Sequence, residues 1–229
     1  MFRLGVRIIM MMKLHNRRRT ITIRLMMIFG ATFIGAFLVL NIRFVEKNFQ
    51  YVVAPGTIRA KDSLGDAIRL LPLAQNVAPS PLPNEARLVI DTIGVNAPIV
   101  FNVPPDNDLI YDRLEDGIVH YSSTAKPGNP GNGIILGHSS AYPWYKGDYG
   151  AVFALLSKLK IGDRFYVQYS DNRTFVYEMR GSLIFNPFKN DERVTALEST
   201  PGNNIILISC YPVGTNYLRI AIRAEQVAI

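Results

Sequence analysis

The single cysteine of the chain, Cys210, lies where an apolar run meets a turn. The run IILISC is typical of a buried strand, YPVGTN supplies the turn, and YLRIAIRA then alternates so that Arg219 and Arg223 share one face. If these two runs pair, Cys210 lies near Arg219. A cation beside a thiol stabilises negative charge on sulfur or on a carbonyl oxygen that the sulfur attacks. The pattern predicts nucleophilic chemistry, with a small buried apolar residue as the alternative for a lone cysteine.

A cysteine nucleophile needs a partner that donates and accepts protons, and the chain offers three histidines. His15 lies in the N-terminal tail, out of reach. His120 lies in GIVHYSS, which we interpret as a loop with a structural histidine. His138 ends the apolar run GIILGH before a loop, which predicts a side chain at the rim of a β scaffold. We therefore predict His138 as the partner of Cys210.

The positive charge of the chain is confined to its N-terminus. The net charge is +7, and residues 1–24 contain seven basic residues and no acidic ones, so the remaining residues are electroneutral together. A nucleic-acid-binding protein needs cations clustered on its folded surface. This distribution therefore excludes that function class.

An uncharged run from Leu25 to Leu40 follows the basic tail. Its length and all-round apolarity predict a transmembrane helix over residues 25–45, with a buried core helix and a cleaved signal peptide as the disfavoured alternatives. The positive-inside rule places residues 1–24 as a basic cytoplasmic tail. We thus expect a single-pass protein of the plasma membrane whose remaining residues are extracellular.

Residues 46–84 contain five prolines and predict an extended extracellular stalk, with a short helix around residues 63–71. Residues 85–229 are sufficient for one domain. Short β runs, separated by turn residues, dominate it and predict a mainly β barrel or sandwich. Asp171 and Asn172 predict a hairpin turn, and apolar residues at helical spacing predict a helix over residues 151–160. The predicted strands cover residues 87–90, 97–101, 133–137, 164–169, 174–180, 205–209 and 218–224.

Four stretches, in this order, resemble the sortases, the membrane-anchored cysteine transpeptidases of bacterial surfaces. RLVIDTIGVNAPIV resembles the opening strands of the family, and DGIVHYSSTAKPGNPGNGIILGHSS resembles the segment that leads to its catalytic histidine. VFALLSKLKIGDRFYV resembles the following helix and turn, and IILISCYPVGTNYLRIAI resembles the cysteine and arginine strands. The resemblance extends over residues 86–225. Within it, Ile206 and Ser209 stand where the family usually has Thr, and Asp91 stands where it often has Pro.

The resemblance implies a closed eight-stranded β-barrel with few short helices. It implies Cys210 as nucleophile, His138 as general acid and base, and Arg219 as the residue that stabilises the transition state. The implied reaction cleaves a Leu-Pro-x-Thr-Gly-like sorting signal of a surface protein after Thr. It proceeds through a thioacyl enzyme to an amine of a cell-wall precursor or a pilin.

We further predict that Ser209, Ser139 and Trp144 contact the substrate. The aromatic group around Trp144 is about equally compatible with packing over one end of the barrel. No cofactor is expected. An acidic cluster offers oxygen ligands of the kind that Ca²⁺ prefers, but its spacing is not that of an EF-hand, and a solvated loop is favoured over a calcium site. The acidic cluster comprises Asp106, Asp108, Asp112, Glu115 and Asp116.

Two other functions remain open from the sequence. Another exported cysteine peptidase that acts on cell-wall peptides would keep Cys210 and His138 but would not need a sorting signal. A tethered binding module with a silent site would merely bury Cys210. The reactivity of the Cys210 thiol in the folded protein distinguishes the binding module from the enzymes.

Overall fold

The computed structural model describes residues 21–39, 42–53, 82–142 and 145–228. The chain divides into two compact units, residues 1–42 and residues 43–229. The predicted cytoplasmic tail up to residue 20, most of the predicted stalk and its helix at 63–71 lie outside the described residues.

The first described helix, α1, extends over Ile21–Val39. It is 19 residues long with a mean hydropathy of 1.9, and none of its most apolar window is buried inside the protein. Its length and composition are sufficient to cross a membrane. The predicted span began four residues later, at Leu25, because Arg24 limited the uncharged run.

A second helix, α2, comprises Ile42–Val53. It crosses the boundary predicted between the span and the stalk, so residues 46–53 are helical and not extended as predicted. The sequence offers a reason, since no proline or glycine interrupts residues 42–53 and the first proline of the predicted stalk is Pro55. The interpretation of an extended stalk was wrong for this segment.

Eight strands among the described residues close into a barrel, in the order β1-β2-β3-β4-β7-β8-β6-β5, with β5 paired to β1. Two neighbouring pairs, β2–β3 and β4–β7, are parallel and the others are antiparallel. The closed mainly β architecture implied by the sequence is confirmed. The strands are β1 Ala86–Ile90, β2 Val95–Val103, β3 Ile118–Tyr121, β4 Gly131–Leu136, β5 Arg164–Tyr169, β6 Thr174–Phe185, β7 Asn203–Tyr211 and β8 Leu218–Val227.

Alternation along the strands fills the barrel with apolar side chains. On β7, Ile205 and Leu207 point inward and are fully buried, and Ile220 and Ile222 of β8 belong to the same core. The intervening residues of both strands face outward. Because side chains alternate with period two, Cys210 and Arg219 fall on this outer face.

Two short helices, α3 (Asn107–Arg113) and α4 (Glu192–Glu198), lie in connections between strands. The hairpin between β5 and β6 turns as predicted: Asn172 has a φ of 68°, and the Tyr169 amide donates to the Arg173 carbonyl at 2.9 Å. Asn tolerates this left-handed conformation better than most residues.

The helix predicted over residues 151–160 was wrong. The segment forms successive turns and a single 3₁₀ turn at Leu156–Lys158. Its amides donate to carbonyls three residues back, as Leu156 does to Phe153 at 3.3 Å and Lys158 to Leu155 at 2.9 Å, and not four residues back as in an α-helix. Residues 151–156 are also all buried, whereas an amphipathic helix would expose one side.

Candidate active site

Cys210 and Arg219 lie directly opposite each other on the antiparallel strands β7 and β8. Directly opposed residues of such a pair have Cβ atoms about 4.5–5.5 Å apart on one face of the sheet. Both side chains are partly exposed. The pairing that the sequence predicted is confirmed, and it places a thiol and a guanidinium together on the outer face of the barrel.

The Arg219 guanidinium is held from one side. Its Nη1 donates to the carbonyls of Asn216 and Leu218, each at 3.0 Å, and both belong to the segment that leads into β8. The ion pairs found among the described residues do not include Arg219. No described carboxylate thus pairs with this guanidinium, which is the state that a role in binding an oxyanion would require.

His138 follows β4, which is the parallel neighbour of β7. The register pairs Leu136 with Ile208, and two further residues along each strand bring His138 level with Cys210. The Gly137 amide donates to the Ile208 carbonyl at 3.1 Å, so contact between the two segments continues past the end of β4. The three residues predicted as catalytic therefore lie on three adjacent segments of the barrel wall, which are β8, β7 and the continuation of β4.

Aromatic rings surround the His138 imidazole. The Tyr145 ring meets it edge-on at 5.2 Å between centroids, and the Tyr111 ring lies at 6.1 Å. Burial among these groups lowers the pKa of His138 below its usual value, because it disfavours the charged imidazolium. The imidazole is accordingly neutral at a lower pH than a solvated histidine.

Of the three residues predicted to contact substrate, Ser209 and Ser139 are buried, at 3% and 2% exposure, and Trp144 lies outside the described residues. The Ser209 hydroxyl donates to the Gly137 carbonyl at 2.7 Å. This bond links the residue before Cys210 to the residue before His138. Ser139 Oγ is buried and has no hydrogen-bond partner among the described residues.

A second apolar cluster packs on the outer side of the barrel wall, on the face that carries Cys210. Its buried centre comes from β4, β7 and β8, and half-buried side chains from β3, β6 and α4 pack around it. Ile206 and Ala221 are 0% and 1% exposed, so this cluster is a small core that holds α4 against the strands. The central residues are Ile134, Ile206 and Ala221, and the surrounding ones are Tyr121, Leu136, Phe185, Leu197 and Ile208.

Tyr121, at the end of β3, is a member of this site that the sequence reasoning missed. Burial raises the pKa of its phenol, whereas the Arg219 cation acts in the opposite direction, which places the two groups within electrostatic reach. The four residues of β3, IVHY, are too few to show the alternation that indicates a strand, so the sequence offered no clear signal for Tyr121.

His120 lies on β3 and not in a loop, which corrects the sequence interpretation. Its imidazole is fully buried inside the barrel, and its Nε2 lies 3.0 Å from the Ala125 carbonyl. Because His120 and Tyr121 alternate on one strand, they face opposite sides of the barrel wall. His120 is therefore separated from the Cys210 side of the wall.

Two residues of the acidic cluster, Asp108 and Asp112, lie in the helix α3, and Glu115 and Asp116 lie in the turn after it. Asp106 caps α3 by accepting a hydrogen bond from the Leu109 amide at 2.9 Å, which corrects the interpretation of a loop. Among the described residues, no group of three or more His, Cys, Asp or Glu side chains is arranged to hold a metal ion.

A family model described as "Sortase domain" matches residues 88–227, which include every strand after β1 and most of β1 itself. The chain belongs to the sortase family. At the level of this family it is a sortase-type transpeptidase. The search of curated proteins found no match.

Solved sortase structures share the fold. Sortase C-1 from Actinomyces oris is 28% identical, with 63% of this chain and 74% of that chain covered and a TM-score of 0.51. Sortase E1 from Streptomyces coelicolor, with a tripeptide in its active site, is 26% identical over 63% of this chain and 88% of that chain, with a TM-score of 0.51. A lid mutant of sortase A from Corynebacterium diphtheriae is 24% identical over 82% and 94% of the two chains, with a TM-score of 0.51.

Proposed function

We propose that this sortase is a membrane-anchored cysteine transpeptidase. It would cleave a Leu-Pro-x-Thr-Gly-like sorting signal after Thr and transfer the surface protein to an amine of a cell-wall precursor or a pilin. The observation that carries the proposal is the direct pairing of Cys210 with Arg219. The parallel strand β4, which pairs with β7, leads to His138 on the other side of Cys210. The apolar helix α1 supports the single-pass anchor, with the N-terminus in the cytoplasm and the barrel outside.

In the first half-reaction, the Cys210 thiolate attacks the carbonyl carbon of the substrate threonine. The carbonyl electrons move to oxygen, and the Arg219 guanidinium stabilises the resulting oxyanion. When the C–N bond breaks, the His138 imidazolium gives its proton to the departing amine. A thioester on Cys210 and a neutral imidazole on His138 remain.

In the second half-reaction, the acceptor amine attacks the thioester carbonyl. His138 takes the proton that the amine loses, and the Cys210 thiolate leaves as the new amide forms. Both catalytic groups return to their starting states, so the cycle consumes no cofactor. We accordingly expect the reaction to proceed equally in a chelator and in added Ca²⁺.

The test uses the full chain in detergent micelles with Leu-Pro-x-Thr-x peptides and an amine acceptor such as triglycine. Mass spectrometry should detect cleavage after Thr, an acyl adduct on Cys210, and the amide product. The variant Cys210→Ala should abolish all three. Cleavage of cell-wall peptides without such a signal would support the other exported peptidase. A Cys210 that neither cleaves nor reacts with methanethiosulfonate would support the binding module.

Arg219→Lys tests the oxyanion role. We expect kcat to fall by about 10²–10³-fold, since one donor to an oxyanion contributes on that order. Arg223→Lys is the matched control, because Arg223 shares the outer face of β8 and its guanidinium donates to Asn204 Oδ1 at 3.2 Å. Equal losses in the two variants would contradict a special role for Arg219.

A further inference from the structure

The helix α2 carries an apolar stripe of which the described residues leave three members exposed. Ile42, Phe49 and Val52 are 58%, 64% and 67% exposed, and Val45 is half-buried. The four occupy positions i, i+3, i+7 and i+10, which an α-helix brings onto one face. An exposed apolar stripe of this kind marks a surface that contacts a protein or a membrane.

Outside the stripe, α2 combines charged and amide residues with Phe44, Tyr51 and Val53, so its composition is more polar than that of α1. Its sequence, IRFVEKNFQYVV, contains two basic residues, one acidic residue and two amides, and Glu46 is exposed. Apolar residues on one face with charges elsewhere are typical of a helix that lies on a membrane surface. A helix that is apolar all round, as α1 is, crosses the membrane instead.

The chain itself limits how far α2 can begin from the membrane. α1 ends at Val39 and α2 begins at Ile42. Three steps between Cα atoms reach at most about 11 Å. Each headgroup layer of a bilayer is about 5–8 Å thick. If α1 spans the membrane, the first turn of α2 therefore begins in or beside the headgroup layer.

We propose that α2 is an interfacial helix whose Ile42, Val45, Phe49 and Val52 side chains insert into the outer leaflet. The inference rests on the proposed function, because it requires that α1 spans the membrane. A lipid surface is favoured over other apolar partners because it is the one that the connection to α1 brings within reach. The 12 residues of α2 give a contact line about 18 Å long. Insertion along this line would fix the orientation of α2 in the plane of the membrane. A single membrane-spanning helix, in contrast, can rotate about its own axis.

The test is a scan of single cysteines over positions 42–53 in the full chain, reconstituted into phosphatidylglycerol–phosphatidylethanolamine vesicles. The background is Cys210→Ser, which removes the one native thiol. Each position carries an environment-sensitive fluorophore, and lipids with a nitroxide near the headgroup serve as quencher. We expect quenching to repeat about every 3.6 residues, with maxima at positions 42, 45, 49 and 52 that are about twofold or more above the minima.

A label at Gly35 of α1, with lipids whose nitroxide lies deep in the acyl chains, tests the span separately. If Gly35 is quenched and α2 shows no periodic quenching, the inference is overturned while the anchor stands. If Gly35 is not quenched, the proposed anchor itself fails. A fluorescence pattern that is periodic but insensitive to nitroxide lipids would show that protein covers the stripe, and it would also overturn the inference.

A pair of charge substitutions adds a second measurement. With the label at position 42, Phe49→Asp should reduce the lipid quenching by about twofold or more, since a charge on the apolar face disfavours insertion. Glu46→Gln, a neighbouring change off the stripe, should leave it unchanged. An equal response to both substitutions would contradict the orientation proposed for the helix. The thermal unfolding of the barrel, measured in parallel, should be the same in both variants.

Discussion

The hydroxyl of Ser209, the residue before the proposed nucleophile Cys210, links two segments of the barrel wall. It is buried and donates to the Gly137 carbonyl, so it joins the strand that carries Cys210 to the segment that carries His138. The sequence prediction assigned Ser209 to substrate binding. Kinetics can separate the two roles, because a positioning residue affects kcat and a simple binding residue affects KM.

Ser209→Ala should lower kcat with little change in KM, because the two catalytic segments lose their link. It should also destabilise the fold by about 1–3 kcal/mol, since it leaves the buried Gly137 carbonyl without its partner. Ser209→Thr keeps the hydroxyl and is the control. Steady-state kinetics and thermal unfolding of the full chain provide both measurements. A raised KM with an unchanged kcat would instead favour direct substrate contact.

The environment of His138 predicts a pH dependence. Its pKa is lowered by burial, so the proton-donating imidazolium is lost at a lower pH than for a solvated histidine. Tyr111→Ala removes a ring that lies 6.1 Å away and should admit water, which raises the pKa of His138 toward its usual value. Titration of the His138 ring by NMR should show this upward shift. The decline of kcat at high pH should move upward with it if the imidazolium is the acid.

Tyr111→Phe is the matched control, since it retains the ring and the burial. An unchanged His138 pKa in Tyr111→Ala would show that other groups, such as Tyr145, provide the desolvation. A shift in the pKa without a shift in the rate profile would contradict the role of His138 as proton donor.

The segment between β4 and His138 depends on close packing at Gly137. A Cβ built at this position would lie 2.5 Å from the Phe153 ring, which is too close for any side chain. Phe153 in turn holds the His138 carbonyl through its amide. The glycine therefore allows the β4 end and the 151–156 turns to meet, and this meeting fixes the backbone of His138.

Gly137→Ala should destabilise the barrel by about 1–3 kcal/mol, the usual cost of overpacking, and should lower kcat because His138 is displaced. Gly181→Ala is the control, because a Cβ at Gly181 in β6 meets nothing within 4 Å. Chemical unfolding and turnover of both variants give the comparison. Similar effects at the two positions would show that the Phe153 contact is not the cause.

Strands with clear alternation were predictable from the sequence, and β5 was predicted at Arg164–Tyr169 as observed. The strand β3 was missed because its four residues are too few for a pattern. The helix at 151–160 failed because residues 151–156 are all packed in the core and form turns whose amides bond three residues back. The local spacing of apolar residues does not contain that information.

The sequence predicts the contacts of the candidate site between residues that are close in the chain, but not those between distant residues. Cys210 and Arg219 are joined by a short turn, so their pairing followed from alternation and turn residues. The parallel pairing of β4 with β7 is not visible in local patterns, since it joins residues 72 positions apart. The prediction of His138 therefore depends on its position at a strand end and on the family resemblance. Tyr121 was missed because its strand, β3, was not predicted.

For the barrel as a whole, the buried His120 predicts sensitivity to acid. Burial lowers its pKa, the Ala125 carbonyl opposes this, and Lys126 lowers it further. The unfolded chain therefore binds a proton at a pH where the folded chain does not. Stability should be unaffected well above pH about 6.5 and should fall as pH drops below that value.

Thermal unfolding of the full chain at pH 7.5 and at pH 5.5 measures this decline. His120→Gln retains a side-chain donor for the Ala125 carbonyl but does not titrate, so the decline should be smaller in this variant. His138, whose pKa is also lowered, accounts for part of what remains. An equal decline in the variant and the parent would exclude His120 as a cause.

The parallel pairing of β4 with β7 also determines when the thiol can act. Its two catalytic residues lie 72 positions apart, as do Gly137 and Ser209, so they meet only when a long loop has closed. On the proposed mechanism, a chain in which this loop is still open has Cys210 without its proton donor and cannot complete acyl transfer. The proposed reaction thus requires the barrel to close first.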